Sequence, residues 1–379
     1  MKILSIDNLK ENMQLARSIY SAKGNVLLAE GTYLTDKYIK KLERFGVSTL
    51  YITDQRIGQV EVDELVKIQT RNEATKITKK LMTNISKGKA LDSEKIVKVV
   101  DDIIKELIDN PNIIINLVEM RVMNDYHFSH NVGVCLLALV TGMALNYNDS
   151  KLKLLGTGAI LHDIGKAKIP LEILNKKGKL TKFEYSDIQK HPQIGYDILK
   201  ECADINWLSA CVAWQHHERS DGSGYPLGIK GFQIQEFSRI VALADVYDAM
   251  STDRIYRKRF LPHQVIEYIR DQGQLIFDPD LTAIFLQNIA PFPIGSTVVL
   301  ENGERGVVID VTKDFPTRPV VKVLYDRNDR LLAVPSEKDL KKELTSFVIK
   351  VIDDNEESHV ANQGGITGKK HYKHKMIAL

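Results

Sequence analysis

The chain has 379 residues, a formal net charge of +3, and 44% hydrophobic and 27% charged residues. That is room for two or three domains, each with its own core, and the composition is that of an ordinary globular protein. So small a net charge makes no case for DNA or a membrane surface as a partner. Three cysteines at unrelated spacings, Cys135, Cys202 and Cys211, argue against a disulfide framework and fit a reducing compartment.

Residues 1–58 alternate short apolar runs with turn signals. Val26 to Leu28 and Thr49 to Ile52 read as strands, and between them "TDKYIKKLERFG" reads as a helix capped at Thr35 or Asp36 and closed by Gly46. The expectation is a small α+β module without a chemical motif. In 59–118, a helical linker or the start of a helical domain, Val62, Leu65, Ile68, Ala74, Ile77, Leu81 and Ile85 mark a helix that either packs on the core or forms a dimer and transmits a signal. "DSEKIVKVVDDIIKELIDNP" then places Ile96, Val99, Val100, Ile103, Ile104, Leu107 and Ile108 on one helical face.

Helical patterns continue to about Ala290, with loops at Lys176 to Lys179 and Arg219 to Gly231. The most apolar run, Val132 to Leu145, contains Gly133, Thr141 and Gly142 and is too short to span a bilayer. It reads as a buried helix. With no signal-peptide core in "MKILSIDNLK", the expectation is a cytoplasmic protein without a membrane span. From Pro291 the pattern changes to strands, in "GSTVVLENGERGVVIDV", "RPVVKVLYD" and "RNDRLLAVP", with Asn302-Gly303 as a hairpin turn. The fold class expected is therefore mainly α. An all-helical domain, 119–290, is flanked by the small N-terminal α+β module and a small C-terminal β-module, 291–352. The polar tail, 353–379, is expected to be disordered, its His359, His371 and His374 marking a solvated basic end.

The helical stretch holds seven candidate metal ligands: His130, His162, Asp163, His191, His216, His217 and Asp245. They include five of the chain's ten histidines. Any one of these histidines alone reads as an ordinary core or surface residue. Together they do not: His162-Asp163 ends "LLGTGAILHD", and Asp245 interrupts "RIVALADVYDAM", where an unpaired carboxylate is costly to bury. Buried polar groups need partners, and one metal satisfies several.

The order His, His-Asp, distant Asp resembles the HD phosphohydrolase superfamily. In that arrangement His130, His162-Asp163 and Asp245 supply one site, and His191, His216 and His217 complete a second if Asp163 bridges. Such N/O sites suit iron or manganese better than zinc. "LHDIGKAKIP", "HHERSDGSGYPLGIKG" and "ALADVYDAMSTDRIYRKR" are similar to the signature segments of the HD-GYP family, over roughly Glu119 to Leu286. The resemblance implies hydrolysis of cyclic di-GMP to pGpG, GMP or both, through a hydroxide bridging two divalent ions.

It also implies Lys166 beside the scissile phosphate, with Asp163 as the other catalytic residue, and dinucleotide contacts from Asp248, Arg254 and Arg257. Family members that bind a third ion use a glutamate four residues before the first histidine. That position here is Tyr126, beside Asp125, so two ions are expected. The segment "AKGNVLLAEGTYLTDKYIKKLERFGVSTLYI" resembles one found in front of HD-GYP domains, which implies a regulatory or dimerisation role. A homodimer and signalling proteins docking at Gly224-Tyr225-Pro226 are the partners implied. The alternatives are an HD hydrolase of another cyclic dinucleotide or nucleotide, and a non-catalytic nucleotide-responsive scaffold.

Overall fold

The structure, a computed structural model, describes all residues but 22–24, 59, 61, 63, 111–113, 116–125, 177, 253–258 and 353–379. Asp125, Arg254, Arg257 and the polar tail therefore lie outside the described residues, as does the side chain of Tyr126.

The N-terminal module consists of strands β1 (Lys2–Ser5), β2 (Ile19–Tyr20), β3 (Val26–Leu28) and β4 (Thr49–Ile52) and helix α1 (Asp36–Arg44). β1 pairs antiparallel with β4, and β2 with β3. Thr35 caps α1 by accepting the Tyr38 N–H at 3.3 Å. Leu4, Leu15, Ile19, Leu34, Leu42 and Leu50 form the module's own core.

The helical unit follows: α2 (Ile68–Ser86), α3 (Ser93–Ile108), α4 (Tyr126–Ala144), α5 (Asp149–Leu161), α6 (Leu171–Leu174), α7 (Lys182–Ile188), α8 (His191–Lys200), α9 (Trp207–Gln215), α10 (Glu236–Ser251), α11 (Pro262–Ile276) and α12 (Pro279–Gln287). One continuous core runs through it. On α3 the expected face, Ile96 to Leu107, is buried there, while Ile108 at the helix end is exposed. α2 also belongs to this core, through Ala74, Leu81 and Ile85, so it packs on the helical unit. α4 is apolar all round from Val132 to Val140 because neighbours enclose it, with α5 and α10 among them.

The C-terminal module is a five-stranded antiparallel sheet of β5 (Thr297–Leu300), β6 (Arg305–Asp310), β7 (Val320–Tyr325), β8 (Leu331–Asp339) and β9 (Val348–Val351), in the order β8-β7-β6-β5-β9. The β5–β6 hairpin turns at Asn302-Gly303, where Gly303 takes a positive φ of 86°. Ile3 N–H donates to Gly295 O at 2.9 Å, and Ile57 packs with Val307 and Leu324, so the two flanking modules touch each other. Ile115 forms a parallel bridge with Ile289, which brings the segment before α4 beside the segment after α12.

Candidate metal centre

Each candidate ligand sits where a helix begins, ends or crosses another. Asn131, next to His130 on α4, donates its side-chain N–H to Ile160 O on α5 at 3.1 Å. Ser209 Oγ donates to Leu154 O at 2.7 Å, and Ser238 Oγ to Cys211 O at 3.1 Å, tying α9 to α5 and α10 to α9. His162 is the residue on which α5 ends, and Asp163 opens a short 3-10 turn, Ile164–Lys168. Gly165 in that turn lies against the start of α8. A Cβ there would stand 2.0 Å from His191 O and 2.6 Å from Gly195 N, so only glycine lets His191 come this close. α9 stops at Gln215 with His216 as its C-cap. Adjacent helical side chains diverge by about 100°, and ending the helix here lets both rings turn inward.

The seven residues form two groups: Asp163, His191, His216 and His217, and His130, His162 and Asp245. Within each group one ligand atom per residue lies within 4.8 Å of the others, and all seven residues are buried. Asp163 stands between the groups. Its Oδ1 is 3.3 Å from His191 Nε2 and 3.7 Å from His216 Nε2, and its Oδ2 is 3.5 Å from His162 Nε2. Lys166 Nζ donates to the same Oδ2 at 2.6 Å.

The proton positions follow from the partners. His162 Nδ1 faces Ala159 O at 2.7 Å, His191 Nδ1 faces Ile188 O at 2.6 Å, and His216 Nδ1 faces Val212 O and Ala213 O at 3.1 Å each. Carbonyl oxygens only accept, so each Nδ1 carries the proton and each Nε2 presents a lone pair. His191 Nε2 and His216 Nε2 then face each other at 3.3 Å with no proton of their own between them. His162 Nε2 and Asp163 Oδ1 are buried without a hydrogen-bond partner among the described residues. Lone pairs and an unmatched carboxylate oxygen aimed at one point call for a cation, and the all N/O donor set suits a first-row divalent ion.

The electrostatics agree. Burial opposes ionisation of Asp163 and Asp245, yet Lys166 and His162 hold the first, and His130 the second, well below the carboxylate range. Burial lowers His191 and His217 and pushes His216 down to about 4. At neutral pH the carboxylates are charged and these three imidazoles are unprotonated, the forms that bind metal. His130 is the exception: burial opposes its charge, but Asp245 and Asp248 raise it to about 9. A proton therefore occupies the 3.0 Å between His130 Nε2 and Asp245 Oδ1, where a metal would replace it.

Asp248 is fully buried, with Oδ2 2.6 Å from His130 Nδ1. Its carboxylate faces a candidate ligand ring from behind. Lys166 stays partly exposed beside Asp163. Sequence reasoning missed Glu218. Its side chain is buried, and burial raises its pKa against the amides of Leu227, Ile229 and Gly228. The visible hint was a carboxylate placed directly after two buried histidines.

Residues 110–281 match the family model for the HD domain, and 297–359 match that for a KOW domain associated with HD domain. A cyclic di-GMP phosphodiesterase of Pseudomonas aeruginosa is 34% identical over 244 residues, 64% of this chain and 59% of that one. Residues 110–281 are thus similar to an HD domain. The response regulator RpfG of Xanthomonas campestris pv. campestris, also a cyclic di-GMP phosphodiesterase, is 39% identical to this chain over 136 residues, 36% of each chain. A 3'3'-cGAMP-specific phosphodiesterase of Vibrio cholerae is 32% identical over 232 residues, 60% of this chain and 43% of that one. Among solved structures, an HDG"Y"P protein of Bdellovibrio bacteriovorus matches with a TM-score of 0.46 and 14% identity, covering 75% of this chain and 97% of that one. This chain thus spans well under two thirds of the length of the curated relatives named here. Among the described residues, no helix is long and apolar enough to cross a membrane.

Proposed function

We propose that the protein hydrolyses cyclic di-GMP, giving pGpG, GMP or both, at a centre of two divalent ions, iron or manganese. The observation that carries this reading is the position of Asp163 between two buried donor groups, one oxygen toward each. His130, His162 and Asp245 would hold one ion, and His191, His216 and His217 the other, with Asp163 shared. Two ions so held supply Lewis acidity toward a phosphoryl oxygen and lower the pKa of water.

The chain's own residues do the rest. Asp163 keeps the Lys166 ammonium at 2.6 Å, a fixed cation placed to neutralise a phosphoryl oxygen or assist the leaving oxygen. Asp248 orients His130 by accepting its Nδ1 proton. Arg254 and Arg257, by resemblance, would bind the phosphates of the dinucleotide through their guanidinium forks. A homodimer, docking of signalling proteins at the Gly224-Tyr225-Pro226 loop and a cytoplasmic location rest on the resemblance and the composition.

A second reading, the same hydrolysis on 3'3'-cGAMP, is favoured by the identity to the Vibrio cholerae enzyme. The test is anaerobic purification, metal analysis, and chromatography of products after incubation with each dinucleotide. Two metal equivalents and a linear product from cyclic di-GMP, lost in Asp163→Ala, are expected. Product from 3'3'-cGAMP alone selects the second reading. Tight binding without turnover under any metal overturns both in favour of a scaffold.

A further inference from the structure

Four of the five ligand imidazoles are held by a hydrogen bond to Nδ1: His130 by Asp248, and His162, His191 and His216 by main-chain carbonyls. His217 differs. Among the described residues, no hydrogen bond to either of its ring nitrogens is found. Its ring instead lies against Tyr225, stacked with centroids 4.7 Å apart and planes 25° apart, while the His191 ring meets it edge-on at 5.0 Å.

Tyr225 is placed there by a chain reversal that starts at His217 itself. The Tyr225 N–H donates to His217 O at 3.2 Å. Gly224 lies so close to the same turn that a Cβ would stand 2.4 Å from Arg219 N and 2.5 Å from both Glu218 Cα and His217 O. The reversal is closed by Glu218, whose buried carboxylate accepts the Leu227 N–H through Oε1 at 2.6 Å. Residues 217 to 227 therefore form a strap returned onto its own start, with an aromatic ring pressed on a candidate ligand.

We propose that Tyr225, latched by Glu218, is the positioning device for His217, replacing the hydrogen bond that the other four ligand rings receive. The inference rests on the two-ion reading and deepens it. A stacked face fixes the plane of an imidazole but pins neither nitrogen. The ion pocket containing His217 is thus the one whose affinity the loop sets, and the pocket of His130, His162 and Asp245 is independent of it. Tyr225 and Glu218 are positioning residues, acting through His217.

The test is an equilibrium titration of metal-free protein with Mn(II), followed by electron paramagnetic resonance, on wild type and four variants. In Tyr225→Leu and Glu218→Ala, one ion should bind as in wild type and the other ~10–100-fold more weakly, the range for loss of an outer support. Tyr225→Phe keeps the stack, and Glu218→Gln keeps an acceptor for Leu227, so both should bind two ions close to wild type. Circular dichroism of the metal-free variants checks the fold. If Glu218→Ala does not fold, Tyr225→Leu carries the test with the latch intact. Equal weakening of both ions, or no change in Tyr225→Leu, overturns the inference while leaving the two-ion reading in place. Failure of the wild type to bind Mn(II) overturns both.

Discussion

Asp248 and His130 meet on the side of the ring that faces away from the metal candidates. Oδ2 of Asp248 lies 2.6 Å from Nδ1 of His130, while Nε2 of the same ring lies 3.0 Å from Asp245 Oδ1. Asp245 and Asp248 are three residues apart on α10, so one helix face grips both nitrogens of a single imidazole. Nδ1 thereby keeps its proton, and Nε2 would serve as the ligand atom once a metal displaces the proton it shares with Asp245. Asp248→Ala is expected to weaken metal binding or activity by ~10–100-fold, with Asp248→Asn recovering part of it. Metal titration by calorimetry checks this, and an unchanged metal affinity in Asp248→Ala would remove Asp248 from that role.

Lys166 is the one flexible cation fixed to Asp163 among the described residues. Replacing it by Met should lower kcat by ~10²–10³-fold, the scale for loss of one charge-stabilising donor, with two ions still bound. Steady-state kinetics paired with metal analysis separates this from loss of the centre. A variant that loses metal in proportion to activity would show that Lys166 acts by holding Asp163.

Lone pairs that face each other, as at His191 and His216, destabilise the metal-free fold, and a bound cation relieves them. Adding Mn(II) should therefore raise the unfolding temperature of the helical unit, and a chelator should reverse it. At a hundred times Kd the gain is about 2.7 kcal/mol for each site. Calorimetry at several metal concentrations measures it. A transition insensitive to metal would contradict the assignment of these histidines as ligands.

His263, far from the ligands in sequence, gives a pH signature of its own. Burial pushes its pKa down to about 4, below the ordinary histidine value near 6.5. The unfolded chain takes up the proton first as pH falls. The contribution to stability is complete above pH 6.5 and is lost as pH falls from there through about 4. In His263→Phe, where the new ring would lie against Phe292, urea midpoints should fall less steeply across that window than in wild type. Identical slopes for the two proteins would contradict the burial of a neutral His263.

Much of the site was legible because its residues break strong patterns. Asp245 sits inside a buried apolar helix and His162-Asp163 ends another, and such placements announce a need for partners. The resemblance implied Asp163 beside His130, His162 and Asp245 and shared with the other group; the structure gathers Asp163 with His191, His216 and His217, and His130 with His162 and Asp245. The contact of Asp248 with His130 was not legible, since spacing puts Asp248 beside Asp245 but does not say which side of His130 it meets. Glu218 was hidden by its surroundings: a carboxylate in a polar glycine-rich loop reads as solvated, and its burial depends on the chain reversal. Strands β1 and β9 were missed because each has four residues and lacks turn signals on both sides. Ile3 and Gly295 meet through main-chain atoms, which leave no trace in side-chain patterning.

The bridge between Ile115 and Ile289 gives the chain a particular modularity. The segment that runs from one to the other contains every candidate ligand, yet it leaves and returns at one spot beside the C-terminal sheet. Helices α2 and α3 share its core, and the two flanking modules meet each other through Ile3 and Gly295. A segment with neighbouring ends can be lengthened, shortened or exchanged without moving its mounting. The ligand-bearing segment thus has a single point of attachment to the C-terminal module, while its own core is completed by α2 and α3.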